Sequence, residues 1–332
     1  MTRGTRLRGC SISAALIVLG TPVAARQDQP PRPNAPAEAV SAILDAFHSH
    51  AIVMLGHPHG NEQKARFQLL LIRDPRFPTV ANDIVEECGN SRYQEVMDRF
   101  VRGDDVPYAE LRRVWEDALP VNTNCDLPMY EELFRAVREV NGALPQERRL
   151  RVLLGEVPID WDQVKSYGDV ARWEEQRGSH TAALIGREVL AKGRRALVLY
   201  GEMHAQRKNE RVNFERADLL AGLLESHGVT LFNVWPQMGS GKPDLTSLSA
   251  DAATWPVPSL TRTRGTVLGA LDFASYFTSD GRFGMIDGKP NPLPRDQWKP
   301  MRMDDQFDAI LYLGPSSSMT FQRLSPVRCA DR

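Results

Sequence analysis

Residues 51–60 read AIVMLGHPHG, and residues 196–205 read ALVLYGEMHA. Each stretch is an apolar run followed by a glycine, two further residues and a histidine. A short apolar run that ends at a turn signal is typical of a strand buried on both faces. Glycine allows a tight turn at the strand end, which presents the histidine at the edge of the sheet. The two stretches therefore predict buried strands that end in Gly-x-x-His turns, at 56–59 and 201–204.

Four further runs have the same character and predict four more strands. They are residues 82–85 (NDIV), 150–154 (LRVLL), 229–234 (VTLFNV) and 309–313 (AILYL). Stretches with helical character separate the runs, at 37–47, 62–72, 93–101, 108–117, 129–140, 173–191 and 210–226. Strands that alternate with helices predict an α/β fold, here a single domain with a mainly parallel central sheet and helices on both faces.

The amino terminus has the pattern of a secretory signal peptide. Three arginines precede the apolar stretch 12–23, and small residues at 23–25 fit a cleavage site. Residues 236–300 are richer in Pro, Gly, Ser and Thr and show little periodicity. The predicted parts are a signal peptide at 1–25, a disordered Pro-rich leader at 26–36, and an α/β domain at 37–332 with a long irregular excursion at 236–300.

These features predict an exported protein, periplasmic or extracellular, without stable membrane insertion. The apolar stretch is shorter than the ~20 residues that a transmembrane helix needs. Removal of the signal peptide takes three of the 41 basic residues and leaves 38 against 42 acidic residues, a net charge of −4. A negative net charge does not favour nucleic acid as a partner. We expect a small-molecule substrate instead.

Three cysteines remain after that cleavage, and an odd number allows at most one internal disulfide. Cys88 follows a buried strand, whereas Cys125 lies in a polar loop and Cys329 lies in the carboxy-terminal tail. We therefore expect Cys125 to pair with Cys329 and Cys88 to be free.

Parallel strands bring their carboxyl ends to one edge of the sheet, and ligands bind at that edge. His59 and His204 follow two of the predicted strands, and Glu87 follows a third. A histidine there can act as a general base, and a carboxylate can orient its ring and stabilise its charged form. Glu87 is the expected partner of His59, and Glu202 lies beside His204. These four residues are the predicted catalytic set.

Four other residues near the strand ends are predicted to bind substrate. His57 lies inside the first turn, and Arg207 lies just past the second, where it would bind an anionic group. Asp160 and Trp161 follow the run 150–154, and the indole of Trp161 would wall an apolar or aromatic ligand.

The two Gly-x-x-His turns, with a strand-end glutamate between them, resemble the superfamily that contains erythromycin esterases, the ChaN haem-binding lipoproteins and the Tiki/TraB proteins. The resemblance extends over about residues 40–235, and residues 307–312 (FDAILY) look like the closing strand of that superfamily. It implies that His59 is the principal base, that Glu87 supports it, and that Glu202 with His204 forms the second half of the site.

The members of this superfamily differ in chemistry. Erythromycin esterases use the histidine of a Gly-Glu-x-His-Gly turn as a general base for water, Tiki proteins use similar residues with a metal as proteases, and ChaN-like members bind haem. This chain departs from the pattern because His57 stands where the family usually has glutamate. That departure puts any role of the glutamate in doubt and opens the site to metal binding.

The leading interpretation is an exported hydrolase whose His/Glu site activates water against an ester, lactone or amide without a cofactor. One alternative is a protein that binds haem or a divalent metal, or a metal-dependent hydrolase, with His57, His59 and His204 as ligands. His57-x-His59 also looks like the metal-binding turn of amidohydrolases, since alternate residues of an extended chain point the same way. A further alternative is a structural domain that has lost the chemistry. No Gly-x-Ser-x-Gly elbow occurs, which disfavours a serine hydrolase.

Overall fold

A computed structural model of the chain describes residue 1 and residues 31–119, 125–208, 219–236, 250–273, 283–286 and 289–323. Three predicted features fall outside these ranges. They are residues 2–25 of the signal peptide, residues 26–30 of the leader, and Cys329. From Pro31 onward the chain forms one compact unit. Within the described ranges, no helix combines the length and the apolar character that crossing a membrane requires.

Ten strands lie in the described ranges, and eight of them form one sheet. The strands are β1 (Pro36–Glu38), β2 (Ile52–His57), β3 (Asp83–Asn90), β4 (Arg151–Glu156), β5 (Ala196–Gly201), β6 (Leu231–Pro236), β7 (Ser259–Arg262), β8 (Phe283–Ile286), β9 (Lys289–Pro292) and β10 (Ala309–Tyr312). Their order in the sheet is β1-β7-β10-β6-β2-β5-β3-β4, while β8 and β9 form a separate antiparallel pair. The six strands from β10 to β4 are paired in parallel. The predicted strand runs therefore all belong to this parallel part.

Eleven α-helices lie in the described part of the chain. They are α1 (Ala39–Ala46), α2 (Glu62–Arg73), α3 (Phe77–Val80), α4 (Gln94–Arg102), α5 (Tyr108–Glu116), α6 (Pro128–Gly142), α7 (Tyr167–Glu174), α8 (Arg177–Glu188), α9 (Leu220–Ser226), α10 (Val267–Ala270) and α11 (Met303–Gln306). The predicted helix 173–191 is divided, because α7 ends before α8 begins at Arg177. Residues 175 and 176 contain neither glycine nor proline, so no helix-breaking residue marks the division.

Alternate residues of β2 enter two different apolar cores. Val53 and Leu55 pack in a core that includes residues of α1 to α6. Ile52 and Met54 pack in a second core, which includes residues of α8, α9 and α11. Burying each such side chain contributes roughly 1.5–3 kcal/mol. The predicted α/β domain, with a mainly parallel sheet covered by helices on both faces, is confirmed.

The long excursion predicted at 236–300 contains a strand of the main sheet. Strand β7 pairs antiparallel with β10, and β1 pairs antiparallel with β7 at the sheet edge. β1 also begins at Pro36, within the predicted disordered leader. Both strands are too short, at four and three residues, to stand out as apolar runs. Of the excursion, residues 237–249, 274–282, 287 and 288 lie outside the described ranges.

The predicted pairing of Cys125 with Cys329 is wrong. Cys88 and Cys125 form a disulfide, with their Cα atoms 5.1 Å apart. Both cysteines are buried in the core on the α1 to α6 side of the sheet, together with Leu127 and other residues of the segment that enters α6. Burial at a strand end predicted a free thiol for Cys88, but Cys125 is buried in the same core and reaches it.

Candidate active site

Three neighbouring strands carry the site residues at their carboxyl ends. In the sheet, β5 lies between β2 and β3, and His57 at the end of β2 is in register with Gly201 at the end of β5. The pairing of β3 with β4 shifts between Glu86 and Asn90. Such irregularities redirect a side chain, and Glu87 lies within this one. The strand order therefore explains how residues far apart in the sequence come together.

The turn after β2 is fixed by the start of α2. Gly60 has a φ of 80°, a left-handed conformation that favours glycine. Asn61 then caps α2, because its side-chain oxygen accepts a hydrogen bond from the N–H of Lys64. Both features hold His59 immediately before the helix.

Glu87 is at the centre of the site. Its Oε2 accepts a hydrogen bond from the N–H of Gly201 at 2.5 Å and lies 3.7 Å from Nε2 of His59. Its Oε1 accepts a hydrogen bond from Nη2 of Arg177 at 3.0 Å and lies 3.5 Å from Nε2 of His204. The structure thus brings His59, Glu87 and His204 together, with one histidine beside each carboxylate oxygen.

The surroundings of Glu87 keep its carboxylate charged. Burial acts to raise the pKa of Glu87, but His59, His204 and Arg177 together outweigh burial and lower the pKa below its usual range. Only 2% of the Glu87 side chain is exposed, against 21% for His59 and 23% for His204. A ligand would therefore meet the two imidazole rings first, with the negative charge behind them.

His59 has a second partner on the helix side. Its Nδ1 lies 2.7 Å from the hydroxyl oxygen of Tyr130, which belongs to α6. Burial raises the pKa of Tyr130 well above its usual range, so the phenol stays protonated. With Nδ1 engaged by Tyr130, the nitrogen of His59 that faces Glu87 and the cavity is Nε2.

His57 is buried and has no hydrogen-bond partner among the described residues at either ring nitrogen. Its Nε2 lies 4.0 Å from Oε2 of Glu87, and its ring centroid lies 4.9 Å from that of His59. Burial lowers the pKa of His57 well below its usual range, and His59 lowers it further, so the ring is neutral. One ligand atom each from His57, His59 and Glu87 lies within 4.8 Å of the other two. Two imidazole nitrogens and a carboxylate oxygen are ligands that Zn²⁺ and similar ions accept.

The second Gly-x-x-His turn is a short 3₁₀ helix, Glu202–Ala205, directly after β5. The ring of His204 packs edge-on against Tyr200, with centroids 5.6 Å apart. Burial lowers the pKa of His204 despite the opposing effect of Glu87. Glu202 lines the same cavity as His204.

Arg177 was missed by the sequence analysis, although it holds two carboxylates of the site. Its Nε donates to Oε2 of Glu156 at 2.7 Å, and its Nη2 donates to Glu87. Burial opposes the charge of Arg177, but Glu156 and Glu87 raise its pKa above the usual range. Burial also raises the pKa of Glu156 to about 7, against the opposing effect of Arg177. The one sequence signal for this pair of ion pairs is that Glu156 lies at the end of a predicted strand.

Two site residues approach Gly201 closely. A Cβ atom at this position would lie 3.1 Å from Oε2 of Glu87 and 3.3 Å from Nε2 of His59. Both distances are shorter than ordinary van der Waals contact. The glycine of the second turn therefore makes room for the site as well as for the turn.

A cavity of about 450 Å³ opens onto these residues. Its lining includes the site residues His57, His59, Glu87, Arg177, Glu202 and His204. Gly201 also belongs to the lining, and Pro58, Met203 and Phe321 supply apolar surface. A small ligand with an apolar part and one polar group would fit a cavity of this size and composition.

The structure does not bring the other three predicted substrate-binding residues to the cavity lining. Arg207 forms ion pairs with Glu225 and Asp308, each at 2.6 Å. Asp160 pairs with Arg92 at 3.1 Å. Trp161 donates its indole N–H to the backbone carbonyl of Asp117 at 2.8 Å. Each side chain thus has a partner within the protein.

Comparisons with known proteins support the fold class of this chain. The chain is similar to a succinoglycan biosynthesis protein of known structure, with a TM-score of 0.51 and 7% identity over 88% of this chain and 96% of that one. It is also similar to a crystallised Bacillus cereus protein (TM-score 0.46, 11% identity, 84% and 94% covered) and to the type III effector HopBA1 (0.39, 12%, 63% and 88%). No protein-family model and no curated protein matches the sequence. At such low identities, the likeness concerns the fold alone.

Proposed function

We propose that the protein is a hydrolase that activates water against an ester, lactone or amide. The observation that carries the proposal is the buried carboxylate of Glu87 between the Nε2 atoms of His59 and His204, at 3.7 and 3.5 Å. A histidine that is oriented by a charged carboxylate and open to a small cavity is the arrangement that general base catalysis requires.

In this proposal, Nδ1–H of His59 donates to the hydroxyl oxygen of Tyr130, which leaves Nε2 free to take a proton from water. Glu87 is held in its charged form and stabilises the imidazolium that results, while Tyr130 keeps the ring in place through Nδ1. His204, with Glu202 beside it, binds the carbonyl or the second proton. His57 is part of the cavity lining and contacts the substrate there.

The resemblance to erythromycin esterases supports the same assignment of His59, Glu87, Glu202 and His204. We extend the proposal to export: residues 1–25 are removed, and the mature enzyme acts on a small molecule in the periplasm or outside the cell. Amino-terminal sequencing of the exported protein tests this part. Recovery of an intact Met1 would contradict it.

A second candidate is a metal-dependent hydrolase, and a specific observation favours it. His57 is buried with both ring nitrogens unpartnered among the described residues, and it stands next to His59 and Glu87 within ligand distance. A divalent ion held by these three residues, with His204 nearby, would polarise a carbonyl and lower the pKa of a bound water. Haem bound through His59 or His204 is a third possibility, which a strong visible absorption band would reveal.

One experiment separates these candidates. The purified protein is analysed for bound metal and for visible absorption, and is then assayed on a panel of esters, lactones and amides before and after chelation. Activity that survives complete metal removal supports the first candidate. Activity that is lost with the metal and restored by adding it supports the second, and His57→Ala should then lower the metal content.

The site itself is tested with His59→Ala and Glu87→Gln. We expect His59→Ala to lower kcat by a factor of ~10² to 10⁴, the usual range for loss of a general base. Glu87→Gln should cost less, because the amide still accepts a hydrogen bond but carries no charge. His48→Ala is the matched control, since His48 is exposed and lies near Asp45 on the surface. Hydrolysis at the wild-type rate by both site variants would refute the proposal.

A further inference from the structure

A second groove lies toward the amino ends of the parallel strands, away from the carboxyl ends that carry the candidate active site. It has a volume of about 750 Å³, and Phe232, near the start of β6, forms part of its floor. Phe232 is in register with Val53 of β2, four residues before His57. Four strand residues span roughly 13 Å. The two cavities are therefore separate sites.

Three arginines line this groove: Arg32, Arg262 and Arg264. Among the residues that the structure describes, none of the three forms an ion pair with a carboxylate. The one acidic residue in the lining, Asp308, is already bound, because it pairs with Arg207 at 2.6 Å and accepts the N–H of Asn233 at 2.8 Å. The groove therefore carries an excess of positive charge.

Local structure holds two of the three arginines, Arg32 and Arg262. The backbone of Arg32 is anchored by two hydrogen bonds, from its N–H to the carbonyl of Gly265 at 2.9 Å and from the N–H of Val267 to its carbonyl at 3.0 Å. The guanidinium of Arg262 lies 4.8 Å from the ring centroid of Phe232, a cation–π distance. The ring of His50 also packs against Phe232, with centroids 5.6 Å apart.

Several other lining residues have small side chains. Ala35, Ala37 and Ala42 belong to its lining, and their small side chains fill little of the space. Guanidinium groups bind phosphoryl and carboxylate groups through paired N–H···O hydrogen bonds, and several of them together select multiply charged anions.

We propose that this groove binds a small molecule that carries two or more oxyanionic groups, phosphoryl or carboxylate. Arg262 and Arg264, two residues apart at the end of β7, contact one group, and Arg32 contacts another from the segment that precedes β1. The site is independent of the proposed hydrolase, since it shares no lining residue with the cavity around His59.

Calorimetric titration with inorganic pyrophosphate and with citrate tests the proposal at low ionic strength. The two probes distinguish phosphoryl from carboxylate recognition. We expect at least one to bind with a Kd below ~1 mM, because several charge-assisted hydrogen bonds would form at once. Affinity should fall steeply as salt is added, because the contacts are exposed.

Arg262→Gln and Arg264→Gln should each weaken binding about tenfold, a loss of about 1.4 kcal/mol. Arg135→Gln is the control, because Arg135 is a surface arginine of α6 paired with Glu131. Thermal unfolding of each variant checks that the fold is retained. Absence of binding by both probes to the wild-type protein would overturn the proposal, and so would equal binding by the wild type and the two groove variants.

Discussion

Reduction of the Cys88–Cys125 disulfide should destabilise the protein and loosen the candidate active site together. The bond closes a loop of 37 residues in the sequence. For a loop of that length, the loss of chain entropy in the unfolded state stabilises the fold by about 4 kcal/mol. In a protein of this size, such a change corresponds to roughly 6 °C in Tm.

The position of the bond links stability to the site. Cys88 directly follows Glu87, and Cys125 lies five residues before Tyr130, so the bond joins the segments that carry both partners of His59. We therefore expect reduced protein to lose hydrolytic activity at a lower temperature than oxidised protein. Thermal unfolding followed by circular dichroism, with and without reductant, gives the measurement.

The variant Cys88→Ala/Cys125→Ala provides the control, since its Tm should not respond to reductant. Equal Tm values for oxidised and reduced wild-type protein would refute the reasoning. Peptide mapping without reduction that finds Cys329 linked to either residue would contradict the pairing itself.

Three further predictions concern single residues around the site. Burial raises the pKa of Glu86 to about 8 in the folded protein, whereas its value in the unfolded chain is near 4.5. The protonated carboxyl therefore contributes its full stability below pH 4.5, and this contribution is lost as the pH rises through 8. Glu86→Gln should therefore raise Tm at pH 9 and leave it nearly unchanged at pH 4.5; a variant with a lower Tm at pH 9 would contradict this. Tyr130→Phe removes the hydroxyl beside Nδ1 of His59, at a cost of about 1 kcal/mol in unfolding free energy. It should lower kcat more than it changes KM and shift the pH–rate profile, whereas an unchanged profile would leave Tyr130 with a packing role only. Gly201→Ala places a Cβ atom 3.1 Å from Glu87 and should abolish most activity while the protein still folds, and a variant with wild-type kcat would show that the close approach is not needed.

The parallel part of the fold could be predicted because each strand is a continuous apolar run. Both faces of a parallel sheet are buried, so β2 and β5 show the pattern in five adjacent residues. The strand-end rule then indicated that His59, Glu87 and His204 would meet, since parallel strands share one edge for their carboxyl ends. The catalytic roles of these residues stay predictions.

The missed features depend on tertiary contacts that leave no local pattern. Arg177 starts a helix, and only the folded chain shows that this helix begins beside Glu87. Tyr130 lies inside an amphipathic helix, and an aromatic residue on the apolar face of such a helix is expected to pack in the core. The disulfide was predicted wrongly for the same reason, because nothing in the sequence around Cys125 indicates which strand it approaches.

The position of β2 has a consequence for the order in which this chain can fold. Strand β2 lies between β5 and β6 and pairs with both of them, and their first residues are Ala196 and Leu231. About 140 residues separate the end of β2 from the start of β5. During synthesis, β2 therefore emerges from the ribosome long before its first neighbour in the sheet. Pairings of this sequence separation form slowly. A truncated chain that ends before β5 would expose the apolar β2 strand without a partner, and such fragments should require chaperones or be degraded.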